Sequence, residues 1–100
     1  GAATMSVQTG RSDCQVLVVL LSQPLVAKRP DVGTVYFPMP LETTNTNIGL
    51  RKEPNKDFQK AVNAWLEEAR GKGEIQSVVL KNMEKLAGVK ADSFPKEVKF

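Results

Sequence analysis

Apolar residues in this chain fall into two kinds of pattern. In "CQVLVVLL", residues 14 to 21, every position except Gln15 is apolar and there is no alternation. A β-branched run of this kind reads as a strand covered on both faces, so a strand is predicted near residues 14–20. Further on, Phe58, Val62, Trp65, Leu66 and Ala69 recur at helical spacing. They predict a helix over 55–70 with Trp65 and Val62 in the core. Ile75, Val78, Val79, Met83 and Leu86 form a second stripe and predict a helix over 74–86. "TVYFPMP" offers a strand at 34–37 whose end Pro38 and Pro40 confine to an edge or a crossover. "NIGLRK" offers a third strand at 47–52.

Turn and cap residues place the boundaries. Residues 2–9 read as the end of a helix that Gly10 and Arg11 terminate, because glycine accepts the left-handed backbone at helix ends. Ser22, with Pro24 in the first turn, opens a helix over 22–29. "LETTNTN", residues 41–47, has Leu41 as its one apolar residue and reads as an extended polar connector. Gly71 and Gly73 end the long helix, and Phe94 and Phe100 are expected to dock an irregular tail. The order β-α-β, connector, β-α-α predicts an α/β fold with partly parallel strands.

Composition narrows the chemistry. The chain has 100 residues, 41% hydrophobic and 25% charged, which is the make-up of an ordinary globular domain rather than a disordered one. A net charge of +3, with acids interspersed among the bases, gives no nucleic-acid footprint. There is no histidine, the commonest metal ligand and general base, and there is one cysteine. Cys14 therefore has no intramolecular disulfide partner and is read as a buried structural thiol. No catalytic residue, metal ligand or cofactor is expected. The longest apolar run, Val16 to Leu21, is six residues, against roughly twenty needed to cross a bilayer. "GAATMSVQTG" has neither the basic nor the apolar region of a signal peptide. Met5 reads as a start behind a remnant, or residue 1 as an internal position of a longer protein, and both readings stand.

Two stretches resemble a known family. "TGRSDCQVLVV" is similar to the helix exit and strand of the type II periplasmic solute-binding proteins, the family-3 group of polar amino-acid ABC transporters. "NIGLRKEPNKDFQKAVNAWLEEARGKGEIQSVV" is similar to that family's closing strand, long helix and last helix. Val62-Asn63, Gly73 and Arg51-Lys52 are the most specific points. The resemblance covers nearly all of residues 4 to 83.

The resemblance implies a two-lobed clamp with a ligand between the lobes. Residues 1–38 would be a small-lobe segment, 39–46 the crossover between lobes, and 47–100 the C-terminal segment of the large lobe. It implies a solute-binding component, or a fragment of one, that serves an ABC-type uptake system for a small polar solute such as an amino acid or related organic acid. Its partners would be that solute and a membrane permease, and its compartment periplasmic or extracellular. Val18 stands where amino-acid binders carry the Asp that pairs with the ligand ammonium, so that carboxylate is absent here. Thr43, Thr44 and Asn45 offer hydroxyls and an amide to a ligand, or serve only to keep a linker hydrated. Arg51 and Lys52 read as an anion site or a solvated edge. Strands supplied by other parts of the family's lobes are not in this chain, which implies exposed strand edges and self-association by exchange of elements across the connector. An enzyme on the same fold, akin to cyclic-acid dehydratases, and a small protein- or RNA-binding domain are the alternatives.

Overall fold

Four α-helices carry the structure, a computed structural model that describes all of residues 1–100. They are α1 (Ala2–Gln8), α2 (Val19–Lys28), α3 (Asp57–Gly71) and α4 (Glu74–Ala87), with short 3-10 turns at Pro30–Val32 and Ala91–Ser93. There is no β-strand and no sheet. The α/β architecture of the periplasmic-binding-protein type II kind is therefore corrected to an all-helical one.

The reason lies in the backbone. A strand exists only where its amide and carbonyl groups meet those of a neighbour. Residues 14–18, 34–37 and 47–52 are not helical, and none of them donates a backbone hydrogen bond to another strand. The first predicted strand also loses its end to a helix. The amides of Leu21 and Ser22 both donate to the Val18 carbonyl at 2.9 Å, so α2 opens at Val19 rather than at Ser22. Local helical bonds satisfy these groups where no neighbouring strand is at hand. Pro24 consequently sits inside α2, not in its first turn.

The remaining helices follow their signals closely. α1 ends as predicted: Gly10 takes a φ of 74°, its amide donates to the Val7 carbonyl, and the Arg11 amide donates to that of Ser6. Asn55 starts α3 by accepting the Asp57 amide at 2.8 Å. Asp57 in the first turn and Arg70 in the last complement the helix dipole. α4 lies between two glycines in the left-handed conformation, Gly73 (φ 71°) and Gly88 (φ 67°). At its end the Gly88 amide donates to the Glu84 carbonyl, the αL-type closure, and the Val89 amide donates to the Met83 carbonyl.

Packing is sparse. α3 packs on α4 and α4 on α2, while α1 meets the turn at Pro30–Val32. Ala69, Val89 and Phe94 are the buried residues. Phe94 meets Phe100 edge to face at 5.8 Å, and Gln23 Nε2 donates to the Ser93 carbonyl at 2.8 Å, which ties the tail to α2. Gln8 Nε2 reaches Asp31 Oδ2 at 3.2 Å and holds α1 to the turn. The radius of gyration is 17.0 Å, against about 13 Å for a compact domain of this length.

That openness corrects two expectations about side chains. Trp65, predicted in the core, is 58% exposed, because α3 buries only Ala69 against its neighbour. Cys14, predicted as a buried thiol, is exposed, because the segment that carries it has no sheet to cover it.

Candidate functional site

The extended segment after the polar connector runs past the N-terminal half of α3 and leaves an open groove of about 760 Å³ between them. Ile48 and Leu50 from the segment and Phe58, Val62 and Leu66 from α3 give it apolar surface. The helical spacing of the last three is what brings them to one side of the groove. Asn47, Asn55, Gln59 and Asn63 supply side-chain amides along the same walls. Asn47, Gln59 and Asn63 offer both donors and an acceptor to a polar solute, and Asn55 offers its donors, its Oδ1 being engaged by the Asp57 amide.

Charge in the groove is predominantly positive. Arg51 donates through Nε and Nη2 to Glu53 Oε1, so this pair largely cancels itself. Both of its side chains stand in solvent, which keeps the pair's contribution to stability small. Lys52 and Lys56 also line the groove and make no ion pair. Two uncompensated ammonium groups on one wall favour a small anion.

The residues singled out in the sequence separate into two sets. Arg51 and Lys52 lie on the groove wall, as do the neighbouring Thr46 and Asn47. Thr43, Thr44 and Asn45 are exposed and stop just short of it. Val18 is 56% exposed, caps α2 with φ −62° and ψ 145°, and is not on the groove. The groove residues missed in the sequence are Asn55, Lys56, Gln59 and Asn63. Gln59 and Asn63 flank the helical stripe of Phe58 and Val62, whereas Asn55 and Lys56 precede α3 and line the groove only because the segment before the helix lies beside it.

No group of three or more His, Cys, Asp or Glu side chains gathers as a metal site, and no helix is long and apolar enough to cross a membrane. No family model, curated protein or solved structure matches this chain.

Proposed function

We propose that the chain is a binding element of a solute-uptake system and that its solute-facing surface is the groove between residues 46–56 and α3. The solute it suits best is a small organic acid. The carrying observation is the pairing of Lys52 and Lys56, both without ion-pair partners, with four side-chain amides over an apolar floor. This groove is built from the same stretch that resembles the solute-binding proteins. In this reading a membrane permease is the downstream partner and the compartment is periplasmic or extracellular.

The affinity of such an open site is modest. A charge-assisted hydrogen bond contributes about 1.5–3 kcal/mol, and solvent-exposed lysines fall at the low end or below it. Dissociation constants near millimolar are the expectation, roughly −4 kcal/mol in total. Titration of succinate, citrate, glutamate and lysine into 15N-labelled protein, followed by amide shifts, tests this. Shifts confined to residues 46–66 for the dicarboxylate and tricarboxylate, absent for lysine and lost in the Lys52→Gln/Lys56→Gln variant, support the proposal. Equal responses to lysine and citrate, or no response to any acid, refute it.

A further inference from the structure

The accessible surface is 8385 Å², whereas a compact monomer of 11.0 kDa exposes about 5,600 Å². The excess far surpasses the roughly 800 Å² per partner that a standard interface covers. Three extended segments contribute to it, and they differ in what they can pair with. Residues 34–40 carry exposed Tyr36 and Met39 but are interrupted by Pro38 and Pro40, which cannot donate to a ladder. Residues 47–52 end in Arg51-Lys52, so pairing with an identical segment brings like charges together. Residues 14–18 have neither obstacle.

Exposure along residues 14–18 follows the alternation of a strand. Val16 is 100% exposed, Val18 56% and Leu17 38%, with Cys14 exposed and Gln15 half-buried. Gln15 faces α1, where its Oε1 accepts the Thr4 hydroxyl at 3.2 Å. Cys14, Val16 and Val18 therefore share the outward face, on a segment free of charge, glycine and proline. Residues 14–17 donate no backbone hydrogen bond within the chain.

We infer that this segment pairs with the same segment of a second copy, antiparallel, with Val16 at the two-fold axis. In that register Cys14 stands opposite Val18 of the other copy, Gln15 opposite Leu17, and Val16 opposite its counterpart. Val19 and Leu21 belong to α2, so the pairing ends at Val18, and residues 14–18 carry no charge that could meet a like one. The outward faces of the two copies merge into one apolar strip. The identity of the occupant follows from this self-complementarity: an isologous pair needs one patch that matches itself, and residues 14–18 do. Only about five residues per chain take part, against roughly 20–30 per side in a standard interface, so the dimer is weak and dissociates in the upper micromolar range. Solute binding at the groove is a separate property and is not required for it.

Sedimentation velocity of the full chain across the micromolar range, together with cross-linking, tests the pairing. The expected result is a monomer–dimer equilibrium that Val16→Lys shifts to monomer at least tenfold, while Tyr36→Lys, on another extended segment, leaves it unchanged. Val16 makes no contact in the monomer, so loss of helicity in Val16→Lys is not expected, and circular dichroism verifies that. Directly opposed residues in an antiparallel pair lie about 4.5–5.5 Å apart at Cα, within disulfide reach. Under mild oxidation the Cys14→Ser/Val16→Cys variant should therefore cross-link much faster than the wild-type chain, whose two Cys14 residues would be about 14 Å apart along the ladder. A monomer at all concentrations overturns the inference. So does assembly that grows beyond two copies, or faster cross-linking through Cys14, which would mean another register or a parallel pair.

Discussion

Replacing glycine by alanine should have opposite effects at two positions seventeen residues apart. Gly88 closes α4 at φ 67°, and a Cβ added there would meet nothing within 4 Å. The cost of Gly88→Ala is thus purely that of holding an L-residue in the left-handed conformation, about 1–2 kcal/mol. Gly71 is the last residue of α3, has no positive φ, and likewise has open space around its Cβ direction. There alanine removes conformational freedom from the unfolded chain and should stabilise by about 0.5–1 kcal/mol. Neither estimate contains a packing contribution, so the two variants differ by about 2 kcal/mol from backbone preference alone. With only three buried residues the chain has little stability to spare, and a shift of that size is readily visible. Ellipticity at 222 nm during urea titration is the assay: Gly88→Ala should lower helicity and the midpoint, and Gly71→Ala should raise both. Shifts of the same sign for the two variants would refute the backbone argument and the left-handed closure on which it rests.

Two further outcomes follow from packing and exposure. Phe94→Ala should destabilise by about 2 kcal/mol, from lost burial and the edge-to-face contact with Phe100, and should release the tail from α2; amide shifts at Gln23 report that release, and an unperturbed Gln23 would contradict it. Cys14 should react with a disulfide reagent as fast in the native protein, kept dilute, as in urea, because it is exposed; protection in the native state would show that the segment is covered.

What could be read from the sequence depended on how local each interaction is. α3 and α4 were visible because their stripes, caps and flanking glycines are all encoded within a few residues. The helix exit at Gly10 was visible for the same reason. The three strands were misjudged because a strand is a relation between distant segments: "CQVLVVLL" specifies a preference for extended backbone but cannot specify that a neighbour is present. The consequences reached Trp65 and Cys14, whose expected burial assumed the same missing cover. Of the groove, Arg51 and Lys52 stand out in the sequence as a basic pair after an apolar segment, whereas Lys56, Gln59 and Asn63 become neighbours of Asn47 only when the segment before α3 lies beside that helix.

The short link between α3 and α4 divides the costs of folding unevenly. Only Lys72 and Gly73 separate the two helices, so bringing them together closes almost no loop. Docking α2 on the α3–α4 pair must instead close the chain over residues 29–56, and the entropy of a flexible loop of that length amounts to about 3 kcal/mol. The α2–α4 contact has little buried area to offset that cost, since neither helix contains a buried residue. The α3–α4 hairpin is thus the thermodynamic kernel of the molecule, and the docking of α2 is the contact most exposed to the entropy of the chain between them.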